Sequence, residues 1–187
     1  GWFRLTSRVI TGIRIEIDGE IPPGPHLFAL KHESALEAIL TLWWFDRPAV
    51  VMKQELRQIP IWGLASARHG SIFVDRAGSA AMLREMMRQA QRAVAAGRPV
   101  VIFPEGTRVE VGETPPLAAG FAGLYKMLKL PVVPIAIDSG SVWPKNFIKF
   151  PGTVHLKVGA LIPPGLARDD VETRVHAAIN QLQGTRS

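Results

Sequence analysis

Short apolar runs between turns predict the strands of this chain. The segment Ile13-Arg14-Ile15-Glu16-Ile17 alternates strictly between apolar and polar residues, which is typical of a half-buried strand. The other predicted strands, shorter and mostly apolar, are residues 27–30, 49–52, 71–76, 99–103, 132–137 and 153–158. Pro60 and Gly63 are interpreted as breaks around Trp62.

Apolar residues at helical spacing predict helices between these strands. The predicted helices cover residues 34–45, 79–97 and 117–130, and a last one opens at Asp169 with a capping-box pattern that ends at Glu172. Gly97 is the expected C-cap of the second. Because strands alternate with helices, we predict an α/β fold: a single domain over residues 1–187 with a mixed, mostly parallel central sheet flanked by helices.

The amino-acid composition excludes some kinds of chemistry and indicates which partners suit the chain. The chain has 187 residues and no cysteine, which excludes disulfides and thiol nucleophiles. Its net charge of +6 suits an anionic partner, although a merely soluble basic protein is also consistent with it. No two histidines have metal-ligand spacing, so we predict no metal.

The first residues mix aromatic and basic side chains. Trp2, Phe3, Arg4 and Arg8 are typical of the end of an amphipathic helix. We predict that residues 1–12 are the remnant of an N-terminal membrane-associated helical segment, and docking onto the rest of the domain is an equally open alternative. No run of about 18 apolar residues, which a membrane-spanning helix needs, occurs in the chain.

His32 and Glu37 are the first candidates for chemistry. Ser34 followed three residues later by Glu37 is a capping-box pattern, so a helix is predicted to start at Ser34. On one helix, positions five apart point about 140° away from each other. The two side chains therefore meet only if His32 lies in the loop before the helix. A histidine oriented by a carboxylate is a general base, but this segment alone favours a simple helix cap.

Polar residues also follow other predicted strands. Lys31-His32, Asp75-Arg76 and residues 105–108 each stand at a strand exit, and ligands in α/β sheets bind outside the carboxyl ends of strands. Gly106 lets backbone approach a ligand closely, while Thr107 and Arg108 offer donors for a phosphate. Lys53, Arg76 and Arg108 predict either an anion site or ordinary solvated charges, and the residues alone leave both open.

Four ordered motifs resemble the glycerolipid acyltransferase family, in particular the bacterial 1-acylglycerol-3-phosphate acyltransferases. They are His32 with Glu37, residues 70–76 ending in Asp75-Arg76, residues 103–108 with the sequence Phe-Pro-Glu-Gly-Thr-Arg, and Val132-Val133-Pro134-Ile135. Most members carry Asp where this chain has Glu37. The resemblance runs from about Ile13 to the C-terminus and implies a glycerol-3-phosphate acyltransferase-like fold.

The resemblance also implies a reaction. A fatty-acyl group would pass from a thioester of acyl carrier protein or coenzyme A to the free hydroxyl of 1-acylglycerol 3-phosphate, giving phosphatidic acid. His32 would be the general base and Glu37 its orienting carboxylate, with no covalent intermediate and no cofactor beyond the acyl co-substrate. The residues implied for the acceptor phosphate are Lys53, Arg76 and Arg108, with Glu105, Gly106 and Thr107 shaping the loop.

Several alternatives stay open at this point. The acceptor could be glycerol 3-phosphate or a lyso-ornithine-type lipid, and the protein could bind anionic lipid without catalysis. A nucleic-acid partner is not expected, because no basic-aromatic module is present. The expected location is the cytoplasmic face of the inner (plasma) membrane, either peripheral or anchored by a preceding segment.

Overall fold

Seven strands form one sheet at the centre of the structure, a computed structural model that describes residues 12–74, 80–146 and 148–183. The strands are β1 (Ile13–Asp18), β2 (Leu27–Leu30), β3 (Ala49–Lys53), β4 (Ile72–Val74), β5 (Val100–Ile102), β6 (Val132–Ile137) and β7 (Gly152–Val158). Each lies within a residue or two of a predicted strand, except that the predicted end of β4 at residues 75 and 76 lies outside the described residues.

The strand order in the sheet is β1-β7-β6-β2-β5-β3-β4. Five of the six pairings are parallel, and β6 with β7 is antiparallel. The predicted mixed, mostly parallel sheet is therefore confirmed. The carboxyl ends of β2, β3, β4, β5 and β6 all meet at one edge of the sheet.

Five helices and two 3₁₀ turns are found in the described ranges. They are α1 (Leu36–Trp44), α2 (Trp62–Arg68), α3 (Ala80–Ala95), α4 (Ala119–Leu128), α5 (Arg168–Ile179) and the 3₁₀ turns Gln54–Gln58 and Ser139–Ser141. None of these helices is both long and apolar enough to cross a membrane. The amphipathic helix predicted within residues 1–12 falls almost entirely outside the described residues.

Two helix predictions need correction, and one helix was missed. Helix α1 begins at Leu36, two residues later than predicted, because its first helical backbone bond runs from the Ile39 amide to the Ala35 carbonyl. Helix α5 begins at Arg168 with no side-chain cap, so the pattern at residues 169–172 is not a capping box. Helix α2 was not predicted. Gly63 does not break it: a Cβ there would lie 2.0 Å from the Arg57 carbonyl, so glycine lets α2 pack on the preceding 3₁₀ turn.

Helices cover both faces of the sheet, as predicted. Successive strand residues point to opposite faces. Leu27 and Ala29 of β2 join the core under α3, α4 and α5, whereas Phe28 and Leu30 join the core under α1. The alternation continues past the strand, since the Lys31 amide still donates to Ile135 of β6 at 3.0 Å. Lys31 and His32 therefore leave the sheet on opposite faces.

Candidate active site

The predicted strand exits converge at the carboxyl edge of the sheet. Lys31 and His32 follow β2, Lys53 ends β3, and residues 103–108 follow β5, which lies between β2 and β3. The Val109 amide donates to the His32 carbonyl at 2.8 Å, so the loop after β5 is tied to the loop after β2. Asp75 and Arg76, which follow β4, lie outside the described residues.

A cavity of about 400 Å³ opens at this edge, between α1 and the 3₁₀ turn after β3. Its lining brings together His32, Lys53, Thr107 and Arg108. The rest of the lining is apolar except for backbone: Ala35, Ala38, Ile39, Val50, Val51, Met52, Leu56, Ile59 and Phe103. One end can thus act on a polar group while the other accommodates a hydrocarbon chain.

Two further cavities help to locate the chemistry. A neighbouring cavity of about 300 Å³ shares Val51, Met52 and Phe103 with the first and reaches Gly106. A larger one, about 810 Å³, lies between α4 and the loop before α5. Among the described residues, its lining contains no histidine or carboxylate, so it lacks the histidine–carboxylate pair despite its size. We therefore assign the candidate active site to the cavity at His32.

His32 lies in the loop before α1, as its pairing with Glu37 requires. Its ring stacks on Phe103, with centroids 4.0 Å apart and an interplanar angle of 23°. His32 Nδ1 lies 3.6 Å from Glu37 Oε2, slightly beyond hydrogen-bond length. The side chain is 16 % exposed and Glu37 is fully buried. His32 Nδ1 is buried and has no hydrogen-bond partner among the described residues, so Glu37 is the carboxylate it faces.

Glu37 serves the helix start and faces His32 at the same time. Oε1 accepts from the amides of Glu33 and Ser34, both at 3.0 Å. Oε2 accepts from the Ser34 amide and hydroxyl, each at 3.0 Å, and the Ser139 hydroxyl donates to Oε1. These contacts are the Glu half of a capping box. Glu37 can therefore cap the helix and orient His32 at the same time.

A buried ion pair supports the loop from the other face of the sheet. Lys31 Nζ donates to Glu105 Oε1 at 2.6 Å, and both side chains have 0 % exposure. Lys31 also donates to the Glu113 carbonyl at 2.6 Å and to Asn180 Oδ1 at 2.7 Å. Glu105 Oε2 accepts from the His32 amide at 2.9 Å. The pair thus anchors the backbone on which His32 stands.

Glu105 has a structural role, unlike Lys53, Arg76 and Arg108, the cations predicted to bind the phosphate. Burial raises the pKa of the Glu105 carboxyl, and Lys31 opposes that rise. A buried carboxylate occupied by Lys31 and the His32 amide does not bind a phosphate. Its side chain shapes the loop from within, and the carboxylate itself is not a phosphate ligand.

The remaining predicted phosphate residues have different positions. Thr107 and Arg108 are exposed and line the cavity, and so does the exposed Lys53. Within the described ranges neither Lys53 nor Arg108 forms an ion pair. Gly106 has φ of 77°, in the left-handed region that favours glycine, and turns the chain between Glu105 and Thr107.

Sequence reasoning missed a further buried carboxylate, Glu33. Glu33 is 2 % exposed and accepts from the Gly140 amide at 2.8 Å and from Gln183 Nε2 at 2.7 Å. Burial raises its pKa, while these two donors lower it. A Cβ on Gly140 would lie 2.9 Å from Glu33 Oε2, so glycine lets this turn approach. No local pattern marks such a contact, because both partners lie more than a hundred residues from Glu33 along the chain.

Fold and site together define a class of protein. The carboxyl edge of a mostly parallel α/β sheet holds a histidine facing a buried carboxylate, beside two exposed cations. Such an arrangement can supply a base and bind an anionic group at the same edge of the sheet. In the described part of the chain, no three histidine, aspartate or glutamate side chains are grouped to hold a metal ion.

The chain belongs to the acyltransferase family, whose model, described as Acyltransferase, matches residues 12–138. It is 34 % identical over 186 residues to a 1-acyl-sn-glycerol-3-phosphate acyltransferase of Pseudomonas aeruginosa, covering 96 % of this chain and 71 % of that protein. It is 31 % identical over 178 residues to the 1-acyl-sn-glycerol-3-phosphate acyltransferase alpha of Mus musculus, covering 89 % of this chain and 61 % of that one. The family predicted from the four motifs is confirmed.

A solved structure shares the fold. The crystal structure of the 1-acyl-sn-glycerophosphate acyltransferase of Thermotoga maritima superposes with a TM-score of 0.79, over 100 % of this chain and 79 % of that one. Its sequence identity is 23 %, so this likeness shows the fold alone. The chain thus spans most, but not all, of the length of these relatives.

Proposed function

We propose that the protein transfers a fatty-acyl group from an acyl thioester to the free hydroxyl of 1-acylglycerol 3-phosphate, giving phosphatidic acid. One observation carries the proposal: a single cavity holds His32, backed by Glu37, together with the exposed cations Lys53 and Arg108. The names of the relatives support this acceptor. The donor is a thioester of acyl carrier protein or coenzyme A, and no cofactor is required.

The proposed reaction needs no nucleophile from the protein. His32 removes the proton from the acceptor hydroxyl, while Glu37 orients the imidazole and stabilises its cation. The acceptor oxygen bonds to the thioester carbonyl carbon, the carbon–sulfur bond breaks, and the proton on His32 passes to the departing thiolate. The nearby hydroxyls of Ser34 and Ser139 are fully buried and engaged with Glu37, which leaves no path for them to attack a thioester.

Binding the phosphate sets the position of the reacting hydroxyl. Lys53 and Arg108 line the same cavity as His32, so a phosphate held by them places the adjacent glycerol hydroxyl near the base. The guanidinium of Arg108 suits bidentate contact with phosphate oxygens. Arg76, outside the described residues, stays a prediction for this site.

Replacing Arg108 by alanine should raise KM for 1-acylglycerol 3-phosphate by about tenfold to a hundredfold, the range for a hydrogen bond to a charged group. The value of kcat should change much less, because phosphate binding is the same before and during the chemical step. Thiol release measured over a range of acceptor concentrations checks this. Arg14→Ala, at an exposed arginine on β1, is the matched control. An unchanged KM in Arg108→Ala contradicts the assignment.

The same assay separates the alternative functions. Crossing acyl carrier protein and coenzyme A donors with 1-acylglycerol 3-phosphate, glycerol 3-phosphate and a phosphate-free lyso-lipid identifies donor and acceptor. A lyso-ornithine-type acceptor would make Arg108→Ala indistinguishable from the parent enzyme. A non-catalytic lipid-binding protein would release no thiol from any pair, and that result overturns the proposed function.

Membrane association is the second part of the proposal. Exposed apolar side chains occur on α1 and on the segment from residue 59 to residue 64, two elements that also contribute residues to the cavity lining, and we call them the interfacial surface: Leu42, Trp43, Ile59, Ile61 and Leu64. Ile59 also lines the cavity, and Leu42 continues the helical stripe that begins with Ala35 and Ile39 there. Ile61 is 86 % exposed and has φ of 66°, uncommon for a β-branched residue.

This surface suits contact with a lipid bilayer. Exposed apolar groups beside Lys53, Arg57 and Arg68 combine hydrophobic insertion with attraction to anionic headgroups. A lipid acceptor would then reach His32 without crossing water. The side of the membrane stays a prediction of the sequence.

Replacing both Ile61 and Leu64 by serine should weaken binding to vesicles containing anionic lipid by about tenfold or more, since each buried apolar side chain contributes about 1.5–3 kcal/mol. Co-sedimentation measures the change, and added salt should weaken the remaining binding. Leu161→Ser is the matched control, because Leu161 is 53 % exposed and lies away from the cavity. Equal binding of the two variants would contradict the proposed surface.

A further inference from the structure

Ser139 lies at the carboxyl end of β6 and contacts the carboxylate that faces His32. Its side chain is fully buried. The hydroxyl donates to Glu37 Oε1 and lies 3.0 Å from the Ser34 hydroxyl. More than a hundred residues separate Ser139 from Glu37, so neither the motif around His32 nor that around Arg108 includes it.

Proton counting gives the direction of these bonds. Each serine has one hydroxyl proton to donate. Glu37 only accepts, so the contact with Ser139 uses the Ser139 proton. The Ser34 hydroxyl accepts from the Leu36 amide at 3.1 Å and donates either to Glu37 Oε2 or to Ser139. Among the described residues, Ser139 is thus the donor to Glu37 that comes from a distant part of the chain, whereas the others belong to residues 33 and 34 just before α1.

The position of Ser139 is itself fixed from several sides. Its carbonyl accepts from the amides of Val142 at 3.1 Å and Trp143 at 2.8 Å. On one side, Asp138 Oδ1 accepts from the His155 amide at 2.7 Å, and Asp138 Oδ2 lies 2.8 Å from His155 Nδ1. On the other, the Gly140 amide donates to Glu33. The hydroxyl therefore meets Glu37 from a rigid frame.

We propose that Ser139 is a positioning residue for the reaction: it fixes the rotation of the Glu37 carboxylate so that Oε2 faces His32. Oε1 is held by Ser139 and by the amides of Glu33 and Ser34, which leaves Oε2 as the oxygen 3.6 Å from His32 Nδ1. Without the Ser139 donor, Oε1 keeps only its two amide donors, and the carboxylate is held less firmly opposite the imidazole. The inference rests on the proposed role of His32 as general base.

The test is a set of serine variants assayed with 1-acylglycerol 3-phosphate and acyl-coenzyme A or acyl carrier protein thioester, whichever donor the enzyme accepts. Ser139→Ala should lower kcat about tenfold, the effect of a lost hydrogen bond to a charged group. KM for both substrates should stay unchanged, because Ser139 does not reach the cavity lining. Ser139→Cys fills the hydroxyl's space but donates only weakly, so it should be nearly as slow. Ser141→Ala, at an exposed position in the same turn, should keep the parent rate.

Each outcome is decisive. If Ser139→Cys recovers the parent kcat while Ser139→Ala does not, Ser139 acts by filling space and the inference is overturned. A parent-like kcat in Ser139→Ala overturns it as well. Thermal unfolding identifies a variant that fails to fold, and the folded member of the alanine and cysteine pair then supplies the comparison. His32→Ala in the same assay keeps the two proposals apart, since an active His32→Ala enzyme refutes the role of His32 as general base in the proposed function, whereas an inactive one beside a normal Ser139→Ala refutes only the role of Ser139.

Discussion

Replacing His32 by alanine should lower kcat for acyl transfer by about a thousandfold or more, within the range of about 10²–10⁴ attributed to a positioned general base. The substitution removes the group that takes the hydroxyl proton, and among the described residues no other histidine or carboxylate lines the cavity. KM for the acceptor should change little, because the phosphate contacts are retained. Thiol release with saturating donor measures the effect.

Two companions make the His32 result interpretable. His32→Gln keeps a polar side chain of similar size without a base, so it should be as slow as His32→Ala. His26→Ala removes a histidine before the start of β2, at the opposite edge of the sheet, and should keep the parent rate. A His32→Ala enzyme that is folded and retains more than about a tenth of the parent kcat would show that another group takes the proton.

Replacing Lys31 by methionine should lower the free energy of unfolding by about 3–5 kcal/mol, the cost of removing one partner from a buried ion pair. Methionine keeps most of the volume, so the loss comes from the uncompensated Glu105 carboxylate and from the acceptors on Glu113 and Asn180. Chemical denaturation at neutral pH measures the change. Activity should fall too, because Glu105 holds the His32 amide.

An exposed lysine–glutamate pair serves as the control that separates the effect of burial from the effect of losing a charge. Lys145 and Glu110 lie 2.7 Å apart with side chains 36 % and 68 % exposed, so Lys145→Met should cost less than about 1 kcal/mol. Burial already raises the pKa of Glu105, and removing Lys31 raises it further. A carboxyl group whose pKa is raised in the folded state destabilises that state at high pH, where the group is ionised. The loss of unfolding free energy in Lys31→Met should therefore shrink as pH falls through the raised pKa of Glu105 toward the pKa of this group in the unfolded chain. Equal losses for the two methionine variants would contradict a special role for the buried pair.

The sheet could be read from the sequence because its strands are short and bounded by clear turns. β2 and β6 agree with prediction to the residue, since continuous apolar runs leave little freedom in register. Helix α2 could not be read, because Pro60 and Gly63 are breakers in isolation. Whether a glycine ends a helix or allows the helix to pack closely depends on its tertiary neighbours. At Gly63 that neighbour is the Arg57 carbonyl, which would lie 2.0 Å from an added Cβ.

The roles within the site divide in the same way. The sequence by itself determined the family, the His32–Glu37 pair and the cations after the strands, because these depend on residue type and order along the chain. Only the tertiary structure decided that Glu105 faces Lys31 and not a phosphate, and that Ser139 reaches Glu37. Both contacts join residues more than seventy positions apart, which burial and strand order bring together. Local sequence patterns carry no information about such contacts.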